Sequence, residues 1–121
     1  MDKETRPYIA WDVVQDFMVK AFTELGVPES DAEICAEVLM ESDRRGIESH
    51  GVNRFKPIYV DRINKGILNP VTEVDIIRES PTTAVLDAND GMGMVASKMA
   101  MDMAIEKAKK YGTACVAVRN S

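Results

Sequence analysis

Histidine is almost absent from this chain: His50 is the only one. Cysteine is nearly as scarce, and Cys35 and Cys115 stand far apart, each inside an apolar run. Zinc sites use close ligand pairs matched by second pairs, so this spacing excludes a metal site of that kind. Two buried free thiols in a reducing compartment are the expectation. No apolar stretch approaches the roughly 20 residues that a membrane helix needs. The start, Met1-Asp2-Lys3-Glu4-Thr5-Arg6, is polar and has no apolar signal core, so a cytoplasmic location is expected. Positive charge is in deficit as well. Fifteen Lys and Arg against 20 Asp and Glu leave a formal net charge of −5, which excludes the basic patch that nucleic acid or an anionic membrane requires. What is present is ordinary for a globular domain: 45% hydrophobic and 29% charged residues over 121 positions, enough to bury one core.

From Trp11 to Leu25, Val14, Phe17, Met18, Ala21, Phe22 and Leu25 recur at three-and-four spacing. This predicts an amphipathic helix closed by Gly26 and stopped by Pro28. Ser30-Asp31-Ala32-Glu33 has the form of a capping box opening a second helix, with Ile34, Cys35, Val38 and Leu39 on its apolar face and Gly46 at its end. A third helical stretch runs to about Lys65, with Ser49 as its candidate N-cap. Pro57 requires that this helix begin near Asn53 or kink.

Composition changes after Asn69-Pro70. Val74–Arg78 and Thr82–Leu86 read as strands joined by a Ser80-Pro81 turn. Gly93–Tyr111 reads as a long helix with Ala96, Ala100, Ala104 and Ala108 on one face, and Lys107, Lys109 and Lys110 form a solvated last turn. Thr113–Val118 is a continuous apolar run of β-type residues, the pattern of a strand buried on both faces. The expected fold is α/β: a helical subdomain over residues 1–70, then the beginning of an α/β domain over 71–121. A buried strand needs more neighbours than are visible, so the chain is expected to stop partway through that domain.

Two runs are candidates for chemistry. In Ser49-His50-Gly51-Val52-Asn53-Arg54, the imidazole and a guanidinium four positions on share a face if one helix holds both. A 2-oxoacid reductase needs that pair, one group to protonate the carbonyl oxygen and one to hold the carboxylate. The same residues also fit a solvent-facing loop. Asp87-Ala88-Asn89-Asp90-Gly91-Met92-Gly93 fails as a calcium loop, because glycine and glutamate are missing from the required positions. It remains open between a phosphate cradle before a helix and a tight turn that caps one. Met92, Met94, Met99, Met101 and Met103 crowd the long helix and suggest that something covers it.

The run Asp43-Arg44-Arg45-Gly46-Ile47-Glu48-Ser49-His50-Gly51-Val52-Asn53-Arg54 resembles the signature of the malate/L-lactate dehydrogenase family, which also holds sulfolactate, ureidoglycolate and diketogulonate oxidoreductases. The similarity continues through Tyr59, Ile63, Gly66, Asn69-Pro70, Asp87–Gly93 and Val116–Ser121. It implies a non-Rossmann nicotinamide-binding domain beside a helical part, NAD or NADP as cofactor, and a small 2-oxoacid or 2-hydroxyacid substrate. It also implies a homodimer with the active site between domains. By this resemblance His50 matches the active-site histidine, Arg54 the substrate-contacting arginine and Ser49 the serine before the histidine. Tyr59 matches the family's tyrosine, one residue further along beside Pro57. The family pattern continues past Ser121 with a second histidine and most cofactor contacts, so these 121 residues alone are expected to be inactive. The other expectation is a non-catalytic dimerisation or docking module.

Overall fold

Helices α1 (Trp11–Glu24) and α2 (Glu29–Arg44) pack against each other in a computed structural model that describes residues 7–121. The polar start Met1–Arg6 lies outside the described residues. Met18 and Phe22 of α1 are fully buried against Ala32, Cys35, Ala36, Leu39 and Met40 of α2, as the helical spacing predicts. Phe17, expected on the same face, stands 62% exposed at its margin. Phe22 anchors the cluster, meeting Phe55 and Tyr59 edge to face at centroid distances of 5.0 and 6.2 Å.

Helix α1 ends in a Schellman turn: Gly26 N–H donates to Thr23 O, Val27 N–H donates to Phe22 O, and Gly26 takes φ +96°. Gly46 and Ile47 close α2 in the same way. The start of α2 departs from expectation. Pro28 occupies the capping position with φ −55°, the helix already includes Glu29, and no side chain caps it. Ser30 therefore lies inside the first turn, where it and Glu33 form no capping box.

The third helical stretch is not one helix. Glu48–His50 and Val52–Arg54 are single 3₁₀ turns, Phe55–Val60 is a π-helical turn, and α3 (Asp61–Asn64) is the regular part. Ser49 sits within the first 3₁₀ turn and caps nothing. Pro57 accounts for the wide turn, since it has no N–H to donate and its ring crowds the carbonyl before it. Asp61 N–H accordingly reaches five residues back, to Lys56 O.

Strands β1 (Asp75–Glu79) and β2 (Thr83–Asp87) are antiparallel, and helix α4 (Gly93–Tyr111) leads to β3 (Cys115–Arg119), parallel to β2. The order is β1-β2-β3, with Ala84 opposite Val116 and Leu86 opposite Val118. Ala96 and Ala100 are the buried residues of α4, and their small side chains permit a close approach. Met92, just before α4, is fully buried with the helical cluster, so that end of the helix joins the α1–α2 core.

Three expectations for this half are corrected. Strand β3 is not buried on both faces: it lies at the sheet edge, with Val116 and Val118 half-buried beside α4 and Cys115, Ala117 and Arg119 exposed. Cys115 is consequently an exposed thiol, while Cys35 is buried. Lys107 is not solvated. Its ammonium donates to Glu79 Oε1 and Ser80 O, both at 2.8 Å, and ties the β1–β2 turn to α4. Among the described residues no helix is long and apolar enough to cross a membrane.

Candidate active site

The Schellman turn at Gly46 throws the chain off α2 into the two 3₁₀ turns, and these bring Ser49, His50 and Arg54 together on the surface. The imidazole Nδ1 of His50 lies 2.8 Å from Ser49 Oγ, and Arg54 Nε donates to Ser49 O at 2.6 Å. Arg54 therefore folds back onto Ser49 across a turn, where one helix holding both His50 and Arg54 would have set them on one face. The backbone supports the arrangement: His50 N–H donates to Ile47 O, and Arg54 N–H to Gly51 O. His50 and Ser49 are exposed and Arg54 is half-buried, so a small molecule can reach the pair.

Tyr59 is joined to this turn less directly. Its ring packs on Phe22 while its hydroxyl is pushed above the ordinary tyrosine value, first by burial and then by the Cys35 thiol, against the opposing pull of Arg54 and Arg62. Its hydroxyl thus stays protonated, within the electrostatic reach of Arg54.

A second polar cluster closes the sheet where β2 and β3 end, and it was not foreseen. Asp87, 7% exposed, accepts Asn89 N–H at 2.9 Å, Arg119 Nε at 2.8 Å and Asn120 Nδ2 at 3.0 Å. These donors, led by the Asn89 amide, hold its carboxyl below the usual aspartate range. Backbone bonds from Ala88 N to Arg119 O and from Asp90 N to Asn120 O complete the latch. An aspartate closing an apolar strand just before Asn89-Asp90-Gly91 was the available signal. Asp43, which holds the His50 turn through Val52 N–H at 2.9 Å, was also missed. Its signal was an acid in the last turn of a helix, where the dipole disfavours it.

The 87–93 run is a packing turn. Asn89 and Asp90 take φ +49° and +58°, and Gly91 N–H closes the turn on Ala88 O. Met92 N–H donates to Thr72 Oγ1, and a Cβ on Gly91 would press on Thr72. The N–H groups of Gly91 and Met92 are thereby spent on the turn itself. Among the described residues no His, Cys, Asp and Glu side chains group to hold a metal ion.

Residues 9–121 match the family described as malate/L-lactate dehydrogenase. The chain is 51% identical over 110 residues to a malate dehydrogenase of Pyrococcus abyssi, which covers 91% of this chain and 30% of that protein. It is 43% identical over 104 residues to an L-sulfolactate dehydrogenase of Methanocaldococcus jannaschii, covering 86% of this chain and 30% of the relative. The crystal structure of malate dehydrogenase from Entamoeba histolytica superposes with a TM-score of 0.92 at 45% identity, over 95% of this chain and 32% of that one. The chain thus spans about 30% of the length of the curated relatives it matches.

Proposed function

This chain belongs to the malate/L-lactate dehydrogenase family, and from that premise we propose that it supplies the acid–base and carboxylate-binding groups of an NAD- or NADP-dependent oxidoreductase acting on a small 2-hydroxy or 2-oxo acid. The observation that carries this reading is the pair of successive turns in which hydrogen bonds link Ser49 to His50 and to Arg54 at an accessible surface. A nicotinamide, when bound, supplies or takes up the hydride. The residues of the Ser49–Arg54 run fit the substrate side of that exchange, an imidazole for the proton and a guanidinium for the carboxylate.

During reduction His50 gives a proton to the carbonyl oxygen, and during oxidation it takes one from the hydroxyl. Ser49 Oγ engages Nδ1, which leaves Nε2 as the exchanging nitrogen. Arg54 spends its Nε on Ser49 O and keeps its terminal nitrogens for a substrate carboxylate. Tyr59, kept protonated, offers a hydroxyl donor within electrostatic reach of Arg54. In this reading residues 1–70 form a helical subdomain, 71–121 open the nicotinamide-binding domain, and the enzyme is a cytoplasmic homodimer.

The test is His50→Ala in a polypeptide carrying this segment at the length of its relatives. Turnover of a 2-oxoacid panel is lost while nicotinamide fluorescence still reports cofactor binding; near-normal turnover overturns the assignment. The 121-residue chain by itself turns over no substrate.

A second reading, a non-catalytic dimerisation or docking module, is favoured by the apolar groove of about 480 Å³ lined by Phe17, Ala21, Leu25, Phe55 and Val60. Self-association of the 121-residue chain, abolished by Phe17→Ser, with full-length turnover indifferent to His50→Ala, would select it.

A further inference from the structure

The turn that carries His50 and Arg54 is gripped from behind by a side chain to which the proposed reaction gives no task. Asp43 lies in the last turn of α2, at the negative end of the helix dipole, where a carboxylate is locally disfavoured. A residue kept there against that field has a compensating partner, and the partner is the His50 turn. Asp43 Oδ2 accepts the half-buried Val52 N–H at 2.9 Å. The same carboxyl fills the space that a side chain at position 51 would occupy, since a Cβ on Gly51 would collide with both of its oxygens. The absence of a side chain at Gly51 and the acid at Asp43 are therefore two halves of one fit.

The contact lies at the hinge between the two functional groups. His50 immediately precedes Gly51, and the Gly51 carbonyl accepts Arg54 N–H at 3.0 Å. Ile47 N–H on Ser42 O holds the start of the loop to α2, while the bonds from Ile47 O to His50 N–H and from Ser49 O to Arg54 Nε are internal to the loop and can move with it. The Asp43 carboxylate ties the loop to the rigid body of α2. The bond is half-buried, and Asp43 lines a small recess together with Ile9, Trp11, Val14, Met40 and Val52.

We propose that Asp43 is a positioning residue: by clamping Gly51 and Val52 onto α2 it fixes the placement of the His50 imidazole relative to the Arg54 guanidinium. This rests on His50 and Arg54 being the active pair of the proposed function.

Three substitutions separate the effects. Asp43→Ala removes the acceptor, Asp43→Asn retains an acceptor oxygen of the same shape, and Gly51→Ala displaces the turn from an intact Asp43. In the full-length dehydrogenase, Asp43→Ala and Gly51→Ala lower kcat by about a hundredfold, as misplacement of a reacting group does, while the KM for the nicotinamide is unchanged. Asp43→Asn restores most of that loss. In the 121-residue chain, His50 is the only histidine, so its imidazole resonances are unambiguous. Asp43→Ala and Gly51→Ala shift them and speed exchange of the Val52 amide, and Asp43→Asn does neither. If Asp43→Ala does not fold, Gly51→Ala and Asp43→Asn carry the comparison. Unchanged kcat and imidazole signals in Gly51→Ala overturn the proposal, as does lowered melting with the imidazole signals unmoved. The two ideas fail differently. Turnover surviving His50→Ala sinks the functional reading even where the imidazole responds to Asp43; a dead His50→Ala beside a fully active Gly51→Ala sinks only the positioning role.

Discussion

Between α1 and α2, Met18, Phe22, Cys35, Leu39 and Met40 are each 1% exposed or less, whereas in β1 every residue is exposed and in β3 exposed and half-buried residues alternate. Both regions are rich in apolar residues, so composition does not explain the difference. The helices find cover in each other across a link of a few residues. A sheet needs cover on two faces and partners on two edges, and those come from segments distant in sequence. Strand β1 carries its own protection, with Asp75, Arg78 and Glu79 along it and an irregular register between Ile76 and Arg78. Strand β3 has none of comparable strength. An apolar residue in a helix pair thus reports cover already present in this chain, while one in a strand reports a demand for cover.

The sharpest probe of that contrast is the two thiols. Burial, with Asp31 adding to it, pushes the Cys35 thiol up to about 12, while Cys115 is exposed. A disulfide reagent should titrate Cys115 in the folded chain and reach Cys35 about a thousandfold more slowly, both reacting alike in denaturant. Equal rates in the native chain would remove the contrast. Next is Phe22→Ala, expected to cost about 3–5 kcal/mol in urea unfolding, against under about 1 kcal/mol for Val118→Ala. Equal losses would mean that the sheet is as well packed as the helices.

Acid should separate the regions too, because Asp87 is the buried charged residue on the sheet side. Its carboxyl titrates below its usual range, so the folded chain binds that proton more weakly than the unfolded chain does. The stabilisation is complete at neutral pH, begins to fall as pH drops toward the ordinary value near ~4, and is gone below the folded value. Amide exchange at Ala88 and Asp90 should quicken over that window while α1 and α2 stay protected, and Asp87→Asn should flatten the response. The smallest effect belongs to exposed Ile76: Ile76→Thr should change stability by no more than about 0.5 kcal/mol.

Two of the helices were readable almost to the residue, while the third stretch, read as one helix, is two 3₁₀ turns, a π-helical turn and the short α3. Apolar spacing located α1 within one residue of its end, and Gly93–Tyr111 is α4 as expected. What failed were details decided by a single competing atom. Pro28 displaced the capping box of Ser30 and Glu33. Strand β3 read as fully buried because its apolar run encodes an environment that α4 supplies on one face only. Lys107 read as solvated because its acceptors, Glu79 and Ser80, lie across the fold. At the candidate site, the motif singled out Ser49, His50 and Arg54, and hydrogen bonds link Ser49 to each of the other two across two successive turns. Asp43 and Asp87 stayed hidden because their partners, Val52 and Arg119, are bonds across loops that no periodicity reveals.

The π-helical turn at Phe55–Val60 also acts as a spacer. Such a turn holds one residue more than an α-helical turn, so Phe55 and Val60, five apart, both line the groove beside Phe17, while Tyr59 still reaches Phe22. The wider coil thus keeps residues five apart on one side of the segment. Removing Lys56 should tighten the coil to α-helix and leave α3 in phase, so length at this point is adjustable where length at the His50 turn is not.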